Sequence, residues 1–415
     1  MQDVRFLLAL ILSACTAPFS VAADEKASAQ AVADLKAALE KKPAALIDLA
    51  GMDFSKVPLI KTDAATAREI LVKAHFARLK VERTAEMRAK KLTEGDLEMP
   101  YDFIIFGKKP AKGRSLWISM HGGGGAPKAL NDKQWENQKE LYELEEGIYL
   151  APRAPTNTWN LWHEGHIDKL FDRLIEDFVA LKGVDPDRVY LTGYSAGGDG
   201  VYQLAPRMAD RFAAAAMMAG HPNDASPLGL RNLPFALHMG ALDAAYNRNK
   251  VAEEWKVKLD DLEKADPKGY VHQVKIHEGK GHWMDRQDAE ALPWMAKKTR
   301  DPIPTKVVWK QAGRTHDHFY WLAVPLKAAK GGSLVVAERE GQNVTITEGA
   351  DVPELLLRLD DRMLDLDKAV TVKFGGKEVL KAMPNRTLGT LIRTLVETGD
   401  PKRTFDAEVE IKLEK

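Results

Sequence analysis

The chain has 415 residues, which is more than one usual domain, so two or three structural units are expected. Lysine plus arginine and aspartate plus glutamate are equally frequent, at 60 each, and the formal net charge is zero. A balanced charge of this kind excludes an electrostatic case for binding nucleic acid or a strongly charged polymer.

The first 22 residues are typical of an export signal. Their apolar run, residues 6–14, is shorter than a bilayer-spanning helix and has the length of a signal-peptide core. Two ways of processing are open: ordinary cleavage after the small residues 20–22, or a lipoprotein signal that ends before Cys15, which would then carry the lipid. We predict a protein that is periplasmic, secreted or lipid-anchored to the cell envelope. Because Cys15 is the single cysteine, no disulfide is expected.

Residues 23–98 are predicted to form a helical extension. This segment is rich in alanine, lysine, glutamate and leucine, and its apolar residues recur at helical spacing, as in Ile70, Leu71 and Ala74. We expect the extension to pack on the unit that follows it, with its charged faces in water. Nothing in the segment supports a partner-binding role.

A glycine run follows the strand-like residues 115–120. It occupies residues 121–125, a histidine followed by four glycines. The last glycine is followed by alanine and proline, whereas a phosphate-binding loop has lysine directly after its last glycine. Glycines let a backbone approach a substrate and turn its N–H groups toward a developing oxyanion. We therefore predict that one oxyanion-hole donor comes from Gly122, Gly123 or Gly124, and that His121 shapes the loop.

Residues 193–197 place a serine between glycines, in the order Gly-Tyr-Ser-Ala-Gly. Residues 188–192, which are rich in β-forming residues, predict a buried strand before it, and the spacing up to Met208 predicts a helix after it. A sharp turn between strand and helix strains the serine and exposes its oxygen. The context favours Ser195 as a nucleophile, with the N–H of Ala196 as the second oxyanion donor.

A serine nucleophile needs a histidine base, which in turn needs a carboxylate to orient it. Asp243 follows the strand-like residues 234–240, and His282 follows the strand-like residues 270–276. This is the chain order of serine, acid and base that a strand–serine–helix motif requires. We predict the triad Ser195, Asp243 and His282.

Two rivals to this triad are open at the level of sequence. Asp224 follows an earlier strand-like segment and is placed for the acid role in a variant arrangement. His277 lies close to His282 but within the end of a strand. The chain order favours Asp243 and His282 over both.

Aromatic and polar residues near these motifs are candidates for a substrate pocket. Loops that follow strands carry binding residues at the active end of such sheets. Packing of the tryptophans beneath a lid is an equally good interpretation. The candidate substrate-binding residues are Trp159, Trp162, Trp283, Tyr246 and Arg248. The histidines of the 157–166 loop lack the i, i+4 pair of a zinc helix, so no metal site is predicted there.

After residue 300 the pattern changes to short strands separated by turn residues. Residues 387–397 read as one helix, and the whole segment 301–415 is predicted to be a small β-sandwich. The predicted strands are residues 307–309, 319–324, 333–337, 343–347, 355–359, 369–373 and 407–412. Because no exposed aromatic ladder is evident, support of the catalytic unit is favoured over binding to a polymer surface.

Taken together, these motifs resemble the α/β-hydrolase superfamily, and within it the secreted bacterial esterases of the polyhydroxyalkanoate-depolymerase-like, feruloyl-esterase-like and dienelactone-hydrolase-like kinds. The resemblance covers about residues 100–300 and rests on residues 121–124, 183–198, 240–243 and 281–282. It implies a doubly wound, mostly parallel α/β sheet for residues 99–300, serine-hydrolase chemistry, and no metal or organic cofactor. It does not name the substrate, because one fold hosts many activities.

The sequence thus predicts an exported serine hydrolase that cleaves small or polymeric carboxylic esters through an acyl-enzyme on Ser195. A serine peptidase of the same fold is the alternative. A binding protein on an inactive scaffold is disfavoured, because every catalytic position is filled. The motifs specify neither the acyl and alcohol parts of the substrate nor an oligomeric state.

Overall fold

The computed structural model describes residues 23–41, 45–325, 328–349 and 351–413. The predicted signal at residues 1–22, with Cys15, lies outside the described residues. Within the described ranges, no helix combines the length and apolar character needed to cross a membrane.

An eight-stranded sheet forms the centre of the molecule. Its strands are β1 (Lys91–Glu94), β2 (Leu97–Phe106), β3 (Arg114–Met120), β4 (Gly147–Pro152), β5 (Val184–Tyr194), β6 (Ala214–Met218), β7 (Phe235–Gly240) and β8 (His272–His277). They lie in the order β1-β2-β4-β3-β5-β6-β7-β8, and only β2 runs antiparallel to its neighbours. The inner strands β4, β6 and β7 are buried along their whole length, which explains their continuous apolar runs. The mostly parallel α/β-hydrolase sheet predicted from the sequence is confirmed.

Helices cover both faces of this sheet. They are α3 (Lys128–Lys139), α4 (Gly165–Asp177), α5 (Ala196–Arg207), α6 (Arg248–Ala265) and α7 (Ala291–Met295), and two earlier helices, α1 (Glu25–Glu40) and α2 (Lys61–Ala89), precede the sheet. Apolar residues of α4, α5 and α6 join one core cluster, whereas those of α7 join a second. The site is carried by loops at the carboxyl ends of β3, β5, β7 and β8.

The C-terminal segment forms two further sheets and one helix. Its elements are β9 (Lys306–Lys310), β10 (His318–Phe319), β11 (Leu322–Ala323), β12 (Leu334–Glu340), β13 (Asn343–Glu348), β14 (Glu354–Leu359), β15 (Val370–Phe374), β16 (Lys377–Ala382), α8 (Leu388–Thr398) and β17 (Ala407–Lys412). The sheets have the orders β10-β11-β14-β17 and β16-β15-β13-β12-β9. The predicted strand at 319–324 is split into two, because the chain turns at Tyr320, where φ is 54°. Strand β16 was not predicted, since it is exposed and alternates with lysine and glutamate.

The helical extension packs on the α/β unit and, in addition, on the C-terminal segment. Leu35 of α1 and Leu71 of α2 share a core cluster with Leu391 and Leu395 of α8, a contact that the sequence did not predict. The contacts of α2 with the α/β unit are both polar and apolar. His75 Nε2 lies 2.9 Å from a Glu176 carboxylate oxygen, and Met87 belongs to the core cluster of the central sheet.

Two of the predicted segment boundaries do not coincide with breaks in the structure. Strand β1 falls within the range assigned to the extension, 23–98, yet it pairs with β2 in the central sheet. One continuous apolar cluster includes Phe212 from the α/β unit and Trp321 and Leu357 from the C-terminal sheets, so residue 300 does not separate two independent cores.

Candidate active site

Ser195 lies at the sharp junction between β5 and α5. Its backbone has φ 58° and ψ −119°, a conformation that costs free energy for a residue with a side chain. A side chain at Gly193 would collide with the carbonyl oxygen of Gly197, and one at Gly197 would collide with the carbonyl oxygen of Met120. The strand and the helix approach this closely because both flanking positions are glycine.

Ser195, His282 and Asp243 form one hydrogen-bonded chain. His282 Nε2 lies 2.9 Å from Ser195 Oγ, and His282 Nδ1 lies 2.6 Å from Asp243 Oδ2. A carboxylate only accepts hydrogen bonds, so Nδ1 carries the proton and Nε2 of the neutral ring presents a lone pair to the serine hydroxyl. The arrangement is that of a nucleophile, a general base and an orienting acid.

Neither rival residue is part of this chain. Asp224 Oδ1 accepts a hydrogen bond from Gln203 Nε2 at 2.8 Å. The Nε2 atom of His277 faces Nδ1 of the buried His238 at 3.1 Å. Both side chains therefore have hydrogen-bond partners outside the chain formed by Ser195, His282 and Asp243.

The loop that carries His282 is held by Tyr194, the residue between Gly193 and Ser195. The Tyr194 hydroxyl donates to the carbonyl oxygen of His282 at 2.7 Å and accepts the N–H of Met284 at 3.1 Å. Sequence reasoning missed this role, although the position beside the serine was the available signal. Burial raises the pKa of the Tyr194 hydroxyl, so it stays protonated and able to donate.

The glycine loop after β3 contributes backbone to the site. Gly122 and Gly123 line the space beside Ser195. Gly124 corrects the prediction, because its N–H donates to Asn131 Oδ1 at 2.9 Å and is therefore engaged within the loop. The N–H of Ala196 is the first of α5 and has no acceptor within the helix.

His121 shapes this loop from beneath. Its Nδ1 lies 2.6 Å from the carbonyl oxygen of Gly122, and its Nε2 accepts the N–H of Ala154 at 3.2 Å. Burial lowers the pKa of His121 to about 4, so the ring is neutral and Nδ1–H is the donor to Gly122. Its environment is that of a structural residue.

The prediction that three tryptophans and Tyr246 line a substrate pocket is partly corrected. Trp162 is 0% exposed, and its Nε1 donates to the carbonyl oxygen of His121 at 2.9 Å, so it packs under the loop and cannot touch a substrate. Trp159, Trp283 and Tyr246 are 63%, 50% and 77% exposed and stand at the mouth of the site.

Arg248 lies behind the acid of the chain. Its Nη1 is 3.6 Å from Asp243 Oδ1, and its guanidinium stacks 4.9 Å from the centre of the Tyr246 ring. The Nε atom of Arg248 is buried and has no hydrogen-bond partner within the part of the chain that the structure describes. The preceding residues Tyr246 and Asn247 both have positive φ, at 55° and 56°, so the loop is bent sharply to bring Arg248 here.

Two cavities meet at Ser195. The larger, about 920 Å³, is walled by His282, Trp283 and Arg286 on one side and by residues of α3, among them Lys133, Gln134 and Asn137, on the other. The smaller, about 570 Å³, is walled by Trp159, Asp199, His221, Tyr246, Asn247 and Arg248. A bond placed at Ser195 Oγ can therefore extend a group into each cavity.

Two groups of side chains among the described residues have the donor types of a metal site. One comprises His238, His277 and Glu290, and the other comprises Asp317, His318 and Glu397. In the first group the histidine nitrogens already face one another at hydrogen-bond distance. In the second, His318 Nδ1 is 2.8 Å from Asp317 Oδ1, and the ion pair between Arg358 and Glu397 ties up the remaining carboxylate. Neither group opens on the two cavities at Ser195.

Comparison with known proteins supports the assignment of the fold. Residues 141–310 match the model of the dienelactone hydrolase family. This match covers less than half of the chain and includes Ser195, Asp243 and His282. It confirms the resemblance to the esterase branch of the α/β-hydrolases and supports a hydrolase of esterase type. Curated protein sequences give no match.

Solved structures resemble about half of the chain. A thermostable esterase is 19% identical, with 51% of this chain and 62% of that chain covered and a TM-score of 0.39. Esterase 2 of Thermogutta terrifontis is 18% identical, with 50% and 89% covered and a TM-score of 0.37. A poly(3-hydroxybutyrate) depolymerase from Bordetella parapertussis is 16% identical, with 50% and 87% covered and a TM-score of 0.37.

Proposed function

We propose that the protein is a serine esterase that hydrolyses carboxylic esters through an acyl-enzyme on Ser195. The observation that carries this proposal is the unbroken hydrogen-bonded chain from Ser195 Oγ through His282 to Asp243. Two cavities meet beside it, lined in part by Gly122, Gly123 and Ala196.

The first half of the reaction forms the acyl-enzyme. His282 Nε2 takes the proton of Ser195 as Oγ attacks the ester carbonyl carbon, and the carbonyl oxygen becomes an oxyanion. The N–H group of Ala196 and one N–H group from Gly122 or Gly123 donate to that oxyanion. The tetrahedral intermediate collapses, the bond to the leaving oxygen breaks, and His282 returns the proton to the departing alcohol.

The second half releases the acid. His282 removes a proton from water, whose oxygen attacks the acyl carbon, and the bond to Ser195 Oγ then breaks as Oγ regains the proton. Asp243 keeps the imidazole in the tautomer with Nδ1 protonated and stabilises the imidazolium in both halves. No metal or organic cofactor takes part in the proposed sequence.

Replacement of the nucleophile tests the proposal. The wild-type protein should hydrolyse p-nitrophenyl acetate and be labelled by a fluorophosphonate on the tryptic peptide that contains Ser195. Ser195→Ala should lose labelling and about 10⁴-fold or more of kcat. Ser226→Ala, in a loop outside both cavities, is the matched control and should retain both.

Three results would contradict the proposal. Full turnover by Ser195→Ala would place the chemistry elsewhere. Cleavage of peptide anilides with no preference for esters would favour the serine peptidase. Absence of both turnover and labelling in the wild-type protein would indicate a binding protein.

Export is part of the proposal. It rests on the apolar run at residues 6–14 and the small residues at 20–22. N-terminal sequencing and mass determination of the protein from its native host would test it. A start at Ala23 supports ordinary cleavage, a lipid-modified Cys15 supports an anchor to the cell envelope, and an intact Met1 would overturn export.

A further inference from the structure

The two cavities can be assigned to the two halves of an ester, and this step rests on the proposed function. The general acid that protonates the leaving oxygen has to be within hydrogen-bond reach of it. His282 lines the larger cavity and does not line the smaller one. The alcohol therefore leaves through the larger cavity, and the acyl group occupies the smaller.

The acyl cavity has a polar inner wall. Asp199 lies one helical turn after Ser195 in α5, and the N–H of His221 donates to its Oδ1 at 2.6 Å. Burial raises the pKa of Asp199 to about 6, so at neutral pH the group is mostly a carboxylate and an acceptor of hydrogen bonds. An alkyl acyl chain would bury this carboxylate further without adding a hydrogen bond to the one from His221, which is costly.

Arg248 supplies the guanidinium in the wall of the same cavity. Its side chain is largely buried, and its Nη1 lies 3.6 Å from Asp243 Oδ1. The Nε atom is closed to solvent, so the hydrogen bond that Arg248 offers to an acyl oxygen in the cavity comes from its Nη groups.

The charges at the inner end of the cavity exclude a strongly charged acyl group. Asp199 and Arg248 both line the cavity, and Arg248 Nη1 lies 3.6 Å from Oδ1 of the Asp243 carboxylate. A carboxylate on the substrate would be a third anion, and an ammonium would stand beside the guanidinium. A hydroxyl group is neutral, donates to Asp199 and accepts from Arg248, so it fits both partners.

The remaining side chains that line the smaller cavity are also polar or aromatic. Side chains of His221, Asn223 and Asn247 add donors and acceptors, while Trp159 and Tyr246 present exposed ring faces at the mouth. Pockets that combine flat apolar walls with several polar groups bind ligands that are apolar on their faces and polar at their edges. We propose that the smaller cavity is a subsite for a neutral, polyhydroxylated acyl group of the sugar-acid type, selected by Asp199 and Arg248.

Four methyl esters with six-carbon acyl groups test this selectivity. They are methyl glucuronate, which is hydroxylated; methyl hexanoate, which is an alkyl ester; monomethyl adipate, which carries a carboxylate; and norleucine methyl ester, which carries an ammonium. The wild-type protein should show a kcat/KM for methyl glucuronate at least tenfold above each of the other three. Equal or better turnover of any of the other three would overturn the proposal.

Variants then connect the selectivity to the wall. Asp199→Ala should lower the ratio of kcat/KM for methyl glucuronate to that for methyl hexanoate at least tenfold. Asp199→Asn keeps the size and an acceptor for His221, so it should fold where the alanine variant does not, and should lower the ratio less. Asp224→Asn removes a nearby carboxylate that is not part of the wall and should leave the ratio unchanged.

The outcomes separate this inference from the proposed function. If methyl esters are cleaved in a Ser195-dependent way but the ratio is insensitive to Asp199, the subsite assignment is wrong and the esterase stands. If no ester is cleaved and Ser195 is not labelled, the proposed function fails, and the subsite assignment fails with it.

Discussion

Asp243 is almost completely buried, with only 3% of its surface exposed, and it contacts two cationic or protonatable groups. One carboxylate oxygen holds His282 Nδ1 and the other lies 3.6 Å from Arg248 Nη1. Asp243 is therefore placed to fix the tautomer of His282 and to pair with the positive charge of Arg248.

Replacing Asp243 by asparagine should therefore remove activity while the fold persists. The amide can place its NH₂ group toward His282 and so favour the wrong tautomer, and we expect kcat on p-nitrophenyl acetate to fall about 10⁴-fold. Asp224→Asn serves as the control and should keep wild-type kcat. A large loss in Asp224→Asn with activity retained in Asp243→Asn would reverse the assignment of the acid.

Tyr194 is expected to act on catalysis through the position of His282. Tyr194→Phe leaves the N–H of Met284 without its acceptor, which costs about 1–3 kcal/mol, and frees the carbonyl of His282. We expect kcat on p-nitrophenyl acetate to fall about tenfold with little change in KM, because the base is displaced while the cavities remain.

A second tyrosine separates positioning from stability in this test. The hydroxyl of Tyr190 donates to the carbonyl oxygen of Lys298 at 2.8 Å, away from the site. Tyr190→Phe should lower the melting temperature about as much as Tyr194→Phe does, and it should leave kcat unchanged. Equal effects of the two variants on kcat would show that Tyr194 has a merely structural role.

At the scale of residues, the sequence predicted local motifs but did not predict which side chains would contact one another. The geometry at Ser195 follows from a five-residue pattern, and the order of acid and base follows from the strands. The bond of Gly124 to Asn131 leaves no mark in the local sequence. The position of Tyr194 beside the serine is visible there, but its bonds to a loop 88 residues away are not. Spacing also could not tell that Trp162 turns inward and Trp159 outward.

At the scale of elements, the close contact between β5 and α5 is what holds Ser195 in its strained conformation. We expect Gly197→Ala to cost about 3 kcal/mol, since the added carbon meets the backbone of Met120 and neither element can move alone. Urea denaturation would measure the change. In Gly51→Ala the added carbon meets nothing within 4 Å, so the free energy of unfolding should change little.

Elements with a continuous apolar or alternating pattern were predicted well. Buried strands such as β6 and β7 are predicted from their continuous apolar runs, which arise because both of their faces are covered by helices. Strands β1 and β16 were missed because they lie at sheet edges and are rich in lysine and glutamate. Their pairing is imposed by the neighbouring strand and not by their own composition.

At the scale of the whole molecule, a buried ionic network joins the α/β unit to the C-terminal segment. Arg300 Nη1 lies 2.6 Å from Asp400 Oδ2, and Arg211 Nη1 lies 3.5 Å from the same oxygen. Burial alone raises the pKa of Asp400, but the two arginines outweigh it and hold the pKa well below its usual range. Removing one partner leaves buried charges uncompensated.

The network should make the protein sensitive to acid. A carboxyl whose pKa is lower in the folded state contributes stability above its unfolded pKa of about 3.9 and loses it as the pH falls further. We expect Asp400→Asn to lower the free energy of unfolding by about 3–5 kcal/mol at pH 7 and to flatten its decline between pH 5 and pH 3. Urea denaturation at several pH values measures both.

An exposed carboxyl provides the control for this network. Asp96 lies at the turn between β1 and β2 and is exposed. Asp96→Asn should leave the stability at pH 7 within about 0.5 kcal/mol of the wild-type value. A similar small effect of Asp400→Asn would mean that the network contributes little to holding the two parts together.

The pairing of α1 and α2 with α8 also fixes when the fold can be completed during synthesis. Arg68 in α2 pairs with Asp406 at 2.8 Å across 338 positions of the chain, and the apolar sides of the first helices meet those of α8. At roughly 5–20 residues per second, α8 leaves the ribosome on the order of tens of seconds after α2. Over that interval the apolar sides of α1 and α2 that meet α8 lack their native partner, so the last elements to be made are the ones that cover them.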